Sequence, residues 1–142
     1  MEKNGFCFFR FSNKVGEMIM DTNENIPRMY GAIVLIFPSR NFKSSVNKLF
    51  PSHVESTEYP DFVEVVYKML DNVYSWEIDD LLTQLFIDCD WDLLDNLISN
   101  YSVRILIDIS FHHYSKYPSL VFEGDNMQII HKLRADISID AY

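Results

Sequence analysis

The chain has 142 residues, and we expect residues 1–142 to form a single domain. Hydrophobic residues make up 48% of it and charged residues 23%, which is a globular composition and excludes a disordered or fibrous protein. The formal net charge of −9 at pH 7 argues against direct contact with nucleic acid, because such contact needs a basic surface.

The N-terminal segment does not have the pattern of a signal peptide, since Glu2 and Arg10 flank or interrupt its apolar residues. The longest uninterrupted apolar run, 32–37, is far shorter than the roughly 20 residues of a membrane helix. Cys7 and Cys89 are not spaced as a zinc motif or a redox pair. We therefore expect a cytoplasmic protein with reduced thiols, no cofactor and no membrane interaction.

The first part of the chain predicts two strands and a helix. Residues 5–12 and 29–37 have the pattern of strands, and the polar segment 21–27 between them is a predicted loop. A helix is predicted from Ser39, as its N-cap, to about Phe50. Its apolar residues recur on one helical face: Phe42, Val46, Leu49 and Phe50.

The middle of the chain predicts two strands followed by two helices. Residues 61–68 and 72–78 have the pattern of strands joined by a short turn at Leu70–Asp71. Two helical stripes of identical spacing follow. The first consists of Leu81, Leu82, Leu85 and Phe86, and the second of Leu93, Leu94, Leu97 and Ile98.

The last part predicts three more strands and a helix. Residues 103–113 alternate between apolar and polar, as in a half-buried strand, and 119–123 and 136–142 are also predicted strands. Asp125 or Asn126 is expected to cap the helix between the last two. Within the final strand the apolar residues should point to the core: Ile137, Ile139 and Ala141. The order of elements predicts an α+β fold, with a largely antiparallel sheet and helices packed mainly on one face.

Nearly all of the net charge lies in one segment. No lysine or arginine occurs between Lys68 and Arg104, although the remaining 13 acidic residues of the chain are nearly balanced by its 12 basic ones. Eight acidic residues fall in this segment: Asp71, Glu77, Asp79, Asp80, Asp88, Asp90, Asp92 and Asp95. Some should be helix caps, Asp79 or Asp80 for the first helix and Asp90 for the second.

A calcium loop is one interpretation of these acids. Asp88, Asp90 and Asp92 have the spacing of its first three ligands, but the loop also needs Gly at position 6 and Glu at position 12. Leu93 and Ser99 stand at those places, so the pattern is incomplete.

A phosphohydrolase with an aspartate nucleophile is a second interpretation, with Asp88 and Asp90 as its acid pair. The residues before this pair have helical rather than strand spacing, which argues against it. His112 and His113 would point to opposite faces of a strand and cannot hold one metal together. No catalytic residue and no metal ligand is predicted.

Two interpretations of the acidic segment remain. It is either a solvated helix face or a surface whose field attracts a basic partner. Trp91 lies among the acids, and it is either a core residue or, if exposed, an interface anchor.

The C-terminal half, roughly residues 72–142, carries a further pattern. Trp76 precedes the acidic helices, Pro118-Ser119-Leu120 follows the alternating strand, and the chain ends on Ile137, Ile139, Asp140 and Tyr142. This resembles a family of small bacterial domains of uncharacterised function that typically end in Leu-Asp-Ile-Asp-hydrophobic-Tyr. Ser138 and Ala141 depart from that ending.

Small acidic bacterial proteins of this kind are similar to immunity proteins of polymorphic toxin systems, including contact-dependent growth inhibition. The resemblance implies a non-catalytic protein that binds and neutralises a cognate toxin C-terminal domain, typically a basic nuclease. The predicted partner-binding residues are Asp71, Glu77, Asp79, Asp80, Asp88, Asp90, Trp91, Asp92 and Asp95. A metal-dependent hydrolase using Asp88 and Asp90, or a structural or regulatory subunit, remains an alternative. Oligomeric state stays open, because free sheet edges can pair two chains.

Overall fold

The structure is a computed structural model that describes residues 26–38, 48–50, 55–112 and 117–141. Its strands in these residues are β1 (Arg28–Phe37), β2 (Glu55–Glu58), β3 (Val63–Tyr74), β4 (Arg104–His112) and β5 (Asp136–Ala141). Its helices there are α1 (Ile78–Phe86), α2 (Trp91–Tyr101) and α3 (Gly124–Leu133). The predicted strand 5–12 and most of the predicted loop and first helix lie outside the described residues, as do Cys7 and His113.

The five strands form one sheet in the order β2-β3-β1-β4-β5. β1 is antiparallel to β3 and β4, and β2 is antiparallel to β3, whereas β4 and β5 are parallel. The predicted α+β class is therefore confirmed, but the sheet is mixed and not largely antiparallel. The reason is α3, which carries the chain back across the sheet so that β5 enters in the direction of β4.

β1 crosses the middle of the core, as its apolar run predicted. Met29, Ile33, Leu35 and Phe37 are fully buried. Gly31 lies directly under α1, where a Cβ atom would come within 2.9 Å of Leu85 Cδ1. The missing side chain lets the helix approach the strand closely.

The two strands predicted at 61–68 and 72–78 are one strand, β3, and the turn predicted at Leu70–Asp71 is wrong. Gly31 pairs with Leu70 and Met29 pairs with Val73, so Asp71 and Asn72 both oppose Tyr30. This is a β-bulge, and Asn72 takes a positive φ of 58° within it. The segment predicted as a turn is therefore part of the strand, which continues through the bulge to Tyr74.

Both predicted leucine-rich helices are present as α1 and α2. All four residues of the first stripe are buried, and the second stripe buries Leu94 and Leu97. The expectation that Asp79 or Asp80 caps α1 is wrong, since the N-cap is Glu77 and it makes no side-chain cap bond. Asp90 caps α2 as predicted, because its Oδ1 accepts the N–H of Leu93 over 3.0 Å.

The C-terminal part is confirmed for β4, α3 and β5, but not in every detail. The alternating residues of β4 are buried as predicted: Ile105, Ile107, Ile109 and Phe111. The strand predicted at 119–123 is wrong, because only a single bridge joins Ser119 to Glu77. Neither Asp125 nor Asn126 caps α3, whose N-cap is Glu123. Ala141 is exposed and Ile139 is 36% exposed, so the end of β5 lies at the surface and not in the core.

Candidate functional site

The predicted partner-binding residues lie in three places. Asp71 is in the β3 bulge, whereas Glu77, Asp79 and Asp80 surround the start of α1. The others lie where α1 is joined to α2: Asp88, Asp90, Trp91, Asp92 and Asp95. We call Asp88, Asp90, Asp92 and Asp95 the junction acids. The nine residues of α1 span about 13 Å between its own N-terminal acids and the loop that carries Asp88, since a helix rises about 1.5 Å per residue.

Asp79 is an interior residue, with 8% of its surface exposed. Its Oδ1 accepts a hydrogen bond from the Glu123 backbone N–H over 2.8 Å and one from Asn126 Nδ2 over 2.9 Å. Nδ2 of Asn126 also lies 2.9 Å from the hydroxyl of Thr83. The carboxylate therefore joins α1 to the start of α3. This role is missed by sequence reasoning because the partners are 44 and 47 residues away.

The other two acids at the start of α1 are exposed. Oδ2 of Asp80 accepts a hydrogen bond from the hydroxyl of Ser75, and that hydroxyl also accepts the backbone N–H of Glu77 over 3.1 Å. Asp71 is exposed as well. The carboxylates of Asp71, Glu77 and Asp80 therefore lie at the surface, and that of Asp80 is held by its hydrogen bond with Ser75.

The chain between α1 and α2 is anchored to β3 by Tyr67. Its hydroxyl accepts the backbone N–H of Asp90 over 2.8 Å, next to the capping carboxylate of the same residue. Burial raises the pKa of Tyr67; the hydrogen bond with the Asp90 backbone opposes this, and the nearby charges of Cys89 and Asp90 raise the pKa further. Asp88 has a positive φ of 60°, a conformation that aspartate tolerates better than most residues. Asp88 and Asp90 therefore lie in a loop with a defined backbone, and Asp92 and Asp95 lie in α2.

Lys68 of β3 binds the C-terminal end of α1. Its ammonium donates to the carbonyl of Gln84 over 3.1 Å and to the carbonyl of Ile87. A cation here is favourable, because the C-terminal end of a helix is negative. Burial raises the pKa of the free thiol Cys89, and Asp88 raises it further, while Lys68 opposes both. In sequence Lys68 only marks the edge of the acidic segment, so this contact was not foreseen.

Two of the junction acids lie on one side of α2, since Asp92 and Asp95 are three residues apart. Asp95 forms an ion pair with Lys132 of α3 at 4.0 Å, and both side chains are about half exposed or more. Such a pair contributes little stability. Asp88 and Asp92 are exposed and form no ion pair with any other residue of the described ranges. Neither carboxylate is therefore neutralised by a direct ion pair, although Lys68 lies close to Asp88 through its bond to the Ile87 carbonyl.

Trp91 combines the two roles considered for it. It is half-buried and packs against the core, with its ring centroid 6.1 Å from that of Phe86. The rest of its surface is accessible to solvent, and its two neighbours in sequence, Asp90 and Asp92, are exposed.

Within residues 26–38, 48–50, 55–112 and 117–141, no three His, Cys, Asp or Glu side chains are grouped so that they would hold a metal ion. In the same ranges no helix has both the length and the apolar character needed to cross a bilayer.

The chain matches no protein-family model, no curated protein and no solved structure. The similarity to the bacterial domain family described above therefore stays an expectation from the C-terminal residues alone.

Proposed function

We propose that this chain is a non-catalytic immunity protein that binds and neutralises a cognate bacterial toxin domain in the cytoplasm. The observation that carries the proposal is the exposed charge of Asp88 and Asp92, which form no ion pair with any described residue and flank the half-buried Trp91 in sequence. A concentrated negative field accelerates the approach of a basic protein and disfavours acidic ones. A toxin that cuts nucleic acid presents such a basic surface, because it must bind phosphates.

The proposed contact surface consists of the junction acids and Trp91, with Asp71, Glu77 and Asp80 as additional exposed acids. Asp79 is assigned to the interior because its carboxylate is already bound by Glu123 and Asn126. Trp91 supplies the apolar anchor, since a few large side chains provide most of the affinity of an interface.

Anchoring of the loop between α1 and α2 supports the proposal. The contacts of Tyr67, Lys68 and Asp90 fix its backbone before a partner arrives. Less conformational entropy is then lost on binding.

We also propose that the helices lie mainly on one face of the sheet, as the close contact of Gly31 with Leu81 and Leu85 suggests.

The test uses the toxin-like domain encoded beside this gene. Co-expression should restore growth, and binding should weaken as salt concentration rises. The variant Asp88→Asn/Asp92→Asn should associate more slowly at low salt, on the order of tenfold, with a flatter salt dependence. We leave Asp90 and Asp95 unchanged there, because Asp90 caps α2 and Asp95 pairs with Lys132.

The control is Glu55→Gln/Asp61→Asn, which removes the same charge from exposed positions near β2. If both double variants bind like the unaltered protein, the contact surface lies elsewhere. If the unaltered protein neither binds nor restores growth, the immunity function itself is wrong.

A further inference from the structure

β5 is the last strand of the sheet. Among the described residues it pairs with β4 alone, from Asp136 opposite Leu106 to Ala141 opposite Phe111. Its outer side therefore presents backbone N–H and C=O groups in the arrangement that another strand would pair with. We call this outer side the β5 edge.

The two faces of β5 differ in chemistry. Asp136, Ser138 and Asp140 lie on one face, whereas Ile137 and Ile139 lie on the other, in register with Ile107 and Ile109 of β4. Ile139 is 36% exposed although it shares the face of the fully buried Ile109. A strand added outside β5 would cover it, because neighbouring strands lie about 4.8 Å apart.

The acidic face carries uncompensated charge. Arg104 forms an ion pair with Asp136 at 2.7 Å, but neither Asp108 nor Asp140 has an ion pair with any residue in the described part of the chain. Asp108 and Asp140 lie on neighbouring strands and repel one another, and this repulsion adds to burial in raising the pKa of Asp108. A cation placed beside them would relieve that repulsion.

A second copy of the chain is a poor occupant of the β5 edge. If two β5 strands paired antiparallel about Ser138, Asp136 of each copy would oppose Asp140 of the other. Like charges opposite one another destabilise a pair of strands. Acidic residues on an edge strand are a common means of preventing this self-association.

We propose that the β5 edge binds an extended segment of a partner protein in which lysine or arginine alternates with apolar residues. The segment adds a sixth strand to the sheet, with its apolar side chains beside Ile137 and Ile139. Its basic side chains lie on the face of Asp140 and extend across Ser138 towards Asp108 of β4. Main-chain hydrogen bonds hold the segment, and the alternating side chains select it. This surface does not include the junction acids, so the inference stands independently of the proposed function.

The probe is a capped six-residue peptide of alternating lysine and valine, titrated into the full chain and followed by backbone amide NMR. The largest shifts should fall on residues 136–141. Binding should weaken about threefold to tenfold in Asp108→Asn/Asp140→Asn, and should be unchanged in Glu55→Gln/Asp61→Asn, which alters the opposite end of the sheet. A peptide with glutamate in place of lysine should not bind.

Strand pairing is separated from charge attraction by N-methylation of the peptide. In a strand the N–H groups of the lysines and those of the valines point to opposite edges, so methylating one set should abolish binding while methylating the other should not. Equal binding by both peptides would overturn strand addition. So would strong protection of every amide in 136–141 against hydrogen exchange in the free protein, or a concentration-dependent dimer, because the edge would then already be occupied.

Discussion

The side-chain amide of Asn126 donates a hydrogen bond to the carboxylate of Asp79 over 2.9 Å and so joins α3 to α1. Both residues are buried. Because a buried polar group loses its hydration on folding, the loss of its partner is costly. Asn126→Ala should therefore lower the free energy of unfolding by about 1–3 kcal/mol, as measured by urea denaturation.

The matched control is Gln128→Ala, two residues further along the same helix at an exposed position. Its effect should stay within about 0.5 kcal/mol, as for most surface substitutions. Equal losses in the two variants would show that the contact with Asp79 is not responsible, since alanine favours the helix at both positions.

The close approach of α1 to β1 gives a second prediction. A side chain at position 31 would meet Leu85 Cδ1 at 2.9 Å and both methyl carbons of Leu81 at 3.1 Å. Gly31→Val should lower the free energy of unfolding by about 1–3 kcal/mol, the usual effect of adding volume to a packed core. Ala32→Val, at the half-buried neighbouring position, should have a much smaller effect. Thermal unfolding of both variants measures the difference, and a well-tolerated valine at position 31 would contradict this packing.

Local patterns predicted the elements that bury a regular set of side chains. β1, α1, α2 and β4 were found because apolar residues recur in them with the period of a strand or a helix. The predictions were wrong where polar residues contact parts of the chain that are distant in sequence. The turn predicted at Leu70–Asp71 is instead part of a bulge in which Asp71 and Asn72 oppose Tyr30, and Asp79 resembles a cap but binds Asn126.

The sequence predicted which acidic residues form the candidate site, but not which residues lie beside them in the folded protein. The acids around residue 90 are mostly exposed, and the cap by Asp90 is a local interaction that the sequence encodes directly. Lys68 and Lys132 lie near these acids only because the chain folds back, so the segment appears less compensated in sequence than it is in space. The parallel pairing of β4 with β5 is a property of the whole fold, and no periodicity within either strand reveals it.

The ion pair between Lys132 and Asp95 gives a prediction that depends on the proposed function. Lys132 offsets part of the negative field of the junction acids. Lys132→Gln should therefore speed association with a basic toxin domain about twofold at low salt, and the gain should disappear at high salt. Stopped-flow fluorescence of Trp91 and Trp76 follows the association. A slower rate in the variant would mean that the partner meets Lys132 through an acidic group.

The repulsion between Asp108 and Asp140 makes stability depend on pH. The pKa of Asp108 is raised in the folded protein, by burial first and by Asp140 second. The folded state therefore holds this proton more tightly than the unfolded state does, and stability falls as the pH rises from about 3.8 through the raised pKa. The substitution Asp108→Asn removes this loss of folding stability at high pH. The variant should be more stable than the unaltered protein at pH 7, by about 0.2–1 kcal/mol, the usual range for a cross-strand pair.

The advantage of Asp108→Asn should vanish at pH 3, where the carboxyl is protonated in both states. Melting temperatures at the two pH values measure it, with Asp61→Asn as an exposed control outside the pair. A gain that persists unchanged at pH 3 would mean that the amide makes a new contact. A loss of stability at pH 7 would mean that the Asp108 carboxylate is bound by a cation, and the β5 edge would then lack the unmet charge that the sixth strand requires.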